Sequence, residues 1–305
     1  MAKAPTELTA SKKAVDGDGR GTGSAAATVG GHAVAGPRRP GLAGRFVRFL
    51  VALWPPAFVL VLLGAAWWFV ADREYLPNYQ LPRPSEVFTT MRDQWPLLAR
   101  SSGVTLLETV LGFVLAVGLG LVTAVLIVYS RTFDRAVFPL VLFAQVVPKI
   151  AIAPLLLVWF GTELKPKVIL AVLIAFFPVV ISGVAGLRST DPELLDLTAT
   201  MGASRWQTFR KIRFPNSLPH LLAGVKVAVT LAVVGAVVGE FIGASQGLGY
   251  VLLLAHGQLD SQLLYADLIL MSVIGIALFV VVDVAEALLI PWHASRRSAL
   301  PLTTS

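Results

Sequence analysis

Six mainly apolar stretches constrain this chain more than any other feature: residues 49–70, 105–129, 138–160, 168–187, 221–242 and 267–290. Each is near the about 20 apolar residues that carry a helix across a hydrocarbon core about 30 Å thick. Helices are implied because lipid offers no hydrogen-bond partner to a free backbone amide or carbonyl. The expected fold is therefore an all-α integral membrane protein with about six transmembrane helices. Composition points the same way. The chain is 56% hydrophobic and 14% charged, against roughly 45–50% and 25% in soluble domains, an excess that one water-soluble core cannot hide.

The third stretch is the least regular, since Pro148 and Pro154 interrupt it and Lys149 lies between them. A broken helix at membrane depth is tolerated where protein or a water-filled cavity receives the freed backbone groups. This span is expected to face the protein interior rather than lipid. Residues 76–101 read as a Pro-rich extended piece leading into a short amphipathic helix. Residues 243–266, "GASQGLGYVLLLAHGQ" and its flanks, are apolar but too short and Gly-broken to span, and read as a re-entrant or interfacial element.

The net charge of +7 is gathered on one side. With the N-terminus in the cytoplasm, the inner loops collect Arg131, Arg135, Arg188, Arg205, Arg210, Lys211, Arg213 and Lys226. The outer segments hold Arg73, Arg83, Arg92, Arg100, Lys165 and Lys167, and residues 243–266 hold no Lys or Arg. By the positive-inside rule both termini are cytoplasmic in a multi-pass cell-membrane protein. The bilayer then accounts for the basic balance, and no nucleic-acid partner is expected. Residues 1–44, rich in Gly, Ala, Ser and Thr, read as a disordered cytoplasmic tail. A membrane domain of residues 45–292 follows, and residues 293–305 read as a C-terminal cytoplasmic tail. The first apolar stretch would act as an uncleaved signal anchor.

The most informative loop is residues 188–219, "RSTDPELLDLTATMGASRWQTFRKIRFPNSLP". Asp191 can cap a helix, Pro192 fits its first turn and Glu193 complements its dipole. One short helix runs to Gly202, where glycine permits a bend that other residues find costly. A second amphipathic helix carries Trp206, Phe209, Lys211 and Arg213, and Pro215 and Pro219 are expected to stop it before the fifth span. Such a hairpin is a knob suited to another protein's groove, or a helical loop lying on the membrane surface.

This loop resembles the signature of importer permeases of the ATP-binding-cassette class: Glu-Ala-Ala, three residues, Gly, nine residues, Ile, any residue, Leu-Pro. Here the spacing is met by Asp196-Leu197-Thr198, Gly202, Ile212 and Phe214-Pro215. Asp replaces Glu, Leu and Thr replace the two Ala, and Phe replaces Leu. The segments "LPRPSEVF", "AIAPLLLVWFG", "FFPVVISGVAGL" and "GEFIGASQGLGYVL" are similar to permeases of the nitrate, sulfonate and taurine group. Glu108 in "TLLETVLGF", with "FAQVVPKIAIAP", resembles the branch handling thiamine-pyrimidine or riboflavin-like compounds; sulfonate members often have Arg there. The resemblance implies a methionine-importer-type permease fold and a homodimer of permeases. It also implies an ATP-binding subunit on the cytoplasmic side and an external substrate-binding protein. Asp196, Thr198, Gly202, Ala203, Ser204, Arg205, Ile212 and Pro215 would then form the ATPase-coupling loop.

Ionisable groups at bilayer depth usually face a cavity or a partner. Glu240 reads either as a gate or pathway-lining residue, or as a carboxylate paired with another helix. Glu108 reads as pathway-lining or interfacial. Gln145 and Lys149, bracketing Pro148, are pathway candidates, although Lys149 could instead snorkel outward. Asp283 and Glu286, near the inner end of the last span, are expected to pair with cytoplasmic Arg. His220 and His256 are isolated and give no metal spacing. There are no cysteines, and the polar residues are scattered, so no catalytic group, metal or cofactor is expected and the chain does not read as an enzyme. A secondary transporter driven by an ion gradient is the alternative, and would usually show an inverted repeat between halves.

Overall fold

The computed structural model describes residues 42–73 and 75–290, without the side chains of residues 42–53, 56 and 57. Residues 1–41 of the expected N-terminal tail and the whole expected C-terminal tail lie outside the described residues, while residues 42–44 open a helix. The chain divides into two compact units, Met1–Phe58 and Val59–Ser305. In the first, the Trp54 and Phe58 rings stack at 5.9 Å.

The elements are α1 (Leu42–Asp72), α2 (Pro84–Asp93), α3 (Trp95–Tyr129), α4 (Arg131–Val146), α5 (Lys149–Phe160) and α6 (Leu164–Arg188). They continue as α7 (Pro192–Thr200), α8 (Arg205–Thr208), a π-helical segment (Phe209–Arg213), α9 (Phe214–Gly243), α10 (Leu248–Gln258) and α11 (Ser261–Leu289). Among the described residues the regular structure is entirely helical.

Among the described residues four helical runs are long and apolar enough to cross a membrane: α3, α6, the run Arg205–Gly243 through α9, and α11. The pair α4 and α5 makes a fifth if taken as one broken span. The expected number of about six is thus met only roughly. The first expected stretch lies in α1, whose described apolar portion, Phe58–Asp72, is shorter than a span. The third bends by 97° between α4 and α5. Pro148 supplies no N–H, and the residue before a proline is pushed out of helical geometry, so Val147 is extended at ψ 126° and α5 restarts at Lys149. This broken pair is not enclosed by its own chain, contrary to expectation. Phe143, Val146, Val158 and Trp159 along it are exposed.

The core is built where α6 lies between α3 and α9. Small residues bring the backbones together, as they do in membrane bundles. A Cβ on Gly235 of α9 would sit 2.6 Å from Ala171 Cα of α6, and one on Gly112 of α3 would sit 2.5 Å from Ala171 Cβ. Ala116, Ala175, Val179, Ala228, Val229 and Ala232 fill the shared interior. At the end away from α7, α2, α10 and the start of α11 close over Val87, Leu98, Val251 and Leu263. There Trp67 Nε1 donates to the Pro82 carbonyl at 3.0 Å and stacks on Tyr265. The amphipathic α2 and the short apolar α10 thus appear where the sequence placed them.

Candidate functional site

The hairpin between α6 and α9 forms by local rules. The Asp191 carboxylate accepts from the Glu193 amide at 2.9 Å and opens α7, with Pro192 in the first turn. Gly202 ends α7 at φ +70°. Its amide donates to the Ala199 carbonyl at 3.1 Å, and the Ala203 amide donates to the Thr198 carbonyl at 3.0 Å. This is a Schellman termination, which requires the left-handed conformation that glycine adopts cheaply. Ser204 then starts the second arm with a capping box. Its hydroxyl accepts from the Gln207 amide at 3.2 Å, and Gln207 Oε1 accepts from the Ser204 amide at 2.8 Å.

The second arm does not stop at Pro215 and Pro219. Arg205–Gly243 is one helical run. A proline removes the amide that would bond back four residues. Immediately before Pro215 the register loosens, and the Phe214 amide donates five residues back to the Phe209 carbonyl. The π-helical turn absorbs the defect, and Pro215 falls in the first turn of α9. Phe209 anchors the arm, stacked on Trp206 at 5.5 Å and edge-on to Tyr129 at the end of α3 at 5.6 Å. Ile212 and Pro215 are half-buried, while Asp196, Ser204 and Arg205 are exposed. Leu197, Met201 and Trp206 are also exposed, giving a short polar hairpin an apolar cap.

A second cluster lies at the opposite end of α9. Glu240 is fully buried. Its carboxylate accepts from Thr105 Oγ1 of α3 at 2.7 Å and from the Gly249 amide of α10 at 2.6 Å. Thr105 Oγ1 in turn accepts from the Leu248 amide at 2.8 Å. The carboxylate thus sits at the amide-bearing start of α10, where negative charge is favoured. It also adjoins the Glu108 carboxyl, whose Oε1 is ion-paired to Lys167 Nζ at 2.8 Å. Gly247 at φ +107° completes the turn, and a Cβ there would strike the Glu240 carboxyl.

The structure therefore brings Glu108 and Glu240 together, and Glu240 takes the geometry of a carboxylate paired with other helices. Lys167, placed in an outer loop by charge counting, is a buried core residue and was missed, as was Thr105. Its position at the edge of an apolar run was the available signal, since a buried intramembrane charge needs a partner. Gln145, Pro148 and Lys149 lie elsewhere. Lys149 Nζ donates to the Gln145 carbonyl at 3.2 Å and lies over the Phe177 ring at 4.6 Å. Phe177 is ten positions along α6 from Lys167, about 15 Å at the helical rise. Asp267 of α11 is also buried, with neither oxygen hydrogen-bonded among the described residues. Asp283 and Glu286 pair not with an arginine, as expected, but with Lys226 of α9, at 2.5 and 2.7 Å. Among the described residues no group of three metal-ligating side chains occurs.

Comparison with known proteins places this architecture. The family described as "Binding-protein-dependent transport system inner membrane component" matches residues 116–294. A probable ABC transporter permease protein of Haemophilus influenzae is 36% identical over 76% of this chain and 95% of its own length. The formylaminopyrimidine transport permease protein of Halalkalibacterium halodurans is 36% identical over 79% of this chain and 96% of its own. In fold the chain is similar to the inward-facing MetNI methionine ABC transporter in its CY5 native crystal form. The TM-score is 0.58 at 20% identity, over 65% of this chain and 98% of that one. The chain belongs to the binding-protein-dependent transport system inner membrane components, the permeases of ATP-binding-cassette importers.

Proposed function

We propose that the chain lines half of a translocation pathway for a small polar or anionic solute and couples it to a separate ATP-binding subunit through the hairpin of residues 188–219. The observation that carries this reading is the continuity of the hairpin's second arm with α9. Leu197, Met201 and Trp206 form an exposed apolar cap of the kind that seats in a partner's cleft. Asp196 stands beside them, and Thr198, Gly202, Ala203, Ser204 and Arg205 set the bend. Because Arg205–Gly243 is unbroken, a displacement of the cap is carried along α9. The close glycine contacts then pass it to α6 and α3. ATP-driven closure of two ATPase subunits would rock the spans between inward- and outward-facing states.

In this reading both termini and the hairpin are cytoplasmic, and an external binding protein delivers the solute. The exposed apolar surface of α4 and α5 receives a second permease copy, which places Gln145, Pro148 and Lys149 beside the pathway between copies. Glu108 and Glu240 support the pathway wall from within the chain. Similarity to the formylaminopyrimidine permease favours a pyrimidine-like vitamin precursor as solute, with sulfonate-like anions as the competing class.

Gly202→Pro tests the coupling. Proline cannot adopt φ +70° and removes the amide that bonds Ala199. The variant is expected to reach the membrane folded, to lose co-purification with the ATP-binding subunit, and to lose uptake. Normal uptake by a folded variant, or uptake by the wild type without any ATPase, would overturn the reading.

A further inference from the structure

Between the hairpin and the α3–α4 turn lies a cavity of about 550 Å³, within the ~300–1,000 Å³ range of small-molecule pockets. Its wall carries Arg131 from the start of α4, Arg205 from α8 and Arg213 from the π-helical segment, with Thr198 and Thr208 between them. None of these arginines forms an ion pair with a described carboxylate. Arg213 lies over the Tyr129 ring at 5.5 Å, which positions the guanidinium without neutralising it. The acid in the wall, Asp134, is already engaged by Arg188 at 2.5 Å. The wall therefore carries three cations, one from α4 and two from the helical run Arg205–Gly243, against one carboxylate that is shared with Arg188.

We propose that this cavity binds a phosphate-bearing anion. A carboxylate offers two oxygens in one plane, whereas a phosphate presents three or more oxygens, tetrahedrally arranged, to guanidinium forks arriving from different directions. The threonine hydroxyls can add donors to the same group. Ile127, Val128 and Leu195 complete the wall and accommodate a less polar attachment. The chemistry is shared by a phospholipid headgroup and a soluble phosphate compound. Bound there, the anion ties the hairpin, through Arg205 and Arg213, to the α3–α4 turn, through Arg131. This proposal is independent of whether an ATPase grips the hairpin's outer surface.

The test uses the full chain in non-ionic detergent, followed by thermal unfolding, and titrates inorganic pyrophosphate. In parallel the chain is placed in nanodiscs of phosphatidylcholine alone or with phosphatidylglycerol. The expected result is a midpoint that rises and saturates with pyrophosphate, with phosphatidylglycerol, or with both, which identifies the source. Arg131→Gln and Arg213→Gln should each weaken the response roughly tenfold or more, since a hydrogen bond to a charged group is lost. Arg210→Gln, on the same hairpin but outside the wall, should not. Unchanged midpoints without anion show that the variants are folded. No rise in either medium, or a rise that survives both substitutions, would overturn the site. A rise appearing only with an added ATP-binding protein would also overturn it, because the arginines would then answer a partner's acid.

Discussion

The Thr105 hydroxyl lies 2.7 Å from the Glu240 carboxylate, with both side chains buried and 135 residues apart in the chain. Because the same oxygen accepts the Leu248 amide, one side chain of α3 fixes both α9 and the start of α10. Thr105→Val keeps the shape but leaves that amide buried without an acceptor. A loss of about 1–3 kcal/mol is expected, read as a lower unfolding midpoint and faster hydrogen exchange in α10. Thr105→Ser should retain most of the stability. Equal melting of the valine variant and the wild type would show that this contact does not hold α10.

The Lys167–Glu108 pair gives a sharper contrast. Both side chains are almost fully buried, so removing one partner strands the other. Lys167→Met alone should cost about 3–5 kcal/mol, whereas an apolar replacement of both partners is often nearly neutral. The double variant Lys167→Met/Glu108→Leu is therefore expected to melt above the single one. A double-mutant cycle in detergent measures the difference, and additive losses would contradict direct coupling.

What the sequence revealed and what it hid follow from the range of the interactions involved. The hairpin was legible because Asp191, Pro192, Gly202 and Ser204 act on neighbours a few residues away. Helix positions were legible because apolar run length is a local property. The fate of Pro215 was not, since stopping the helix and widening one turn both accommodate a missing amide, and contacts distant in sequence, such as Phe209 against Tyr129, are not encoded in the local pattern. The carboxylate cluster was half legible. Glu108 and Glu240 stood out as charges in apolar runs, but their partners are 59 and 135 residues away. No periodicity encodes such pairings.

Gly202 has open space around its Cα, so the effect of a side chain there is conformational rather than steric. Holding a β-branched residue in the left-handed region costs roughly 1–2 kcal/mol. Gly202→Val should therefore loosen the hairpin, and Gly202→Asn should do so less, because Asn tolerates that region. Limited proteolysis between Thr200 and Arg205 would rank the variants. The order valine above asparagine above glycine is expected, and equal cleavage would refute the strain argument.

Ala171 stands between two glycines, and the two contacts differ in kind. At Gly112 an added Cβ would meet the Ala171 Cβ, a side-chain atom that can be removed. At Gly235 it would meet the Ala171 Cα and amide nitrogen, which cannot. Overpacking of a tight interior typically costs about 1–3 kcal/mol, so Gly112→Ala and Gly235→Ala should each lower the unfolding midpoint. Adding Ala171→Gly should then recover much of the loss in the Gly112 variant and little in the Gly235 variant. The comparison cancels generic effects of the Ala171 change, because it is common to both backgrounds. Equal rescue would mean that α9 can slide away from α6 as readily as α3 can. The close seating that carries motion from the hairpin into the bundle would then not be rigid.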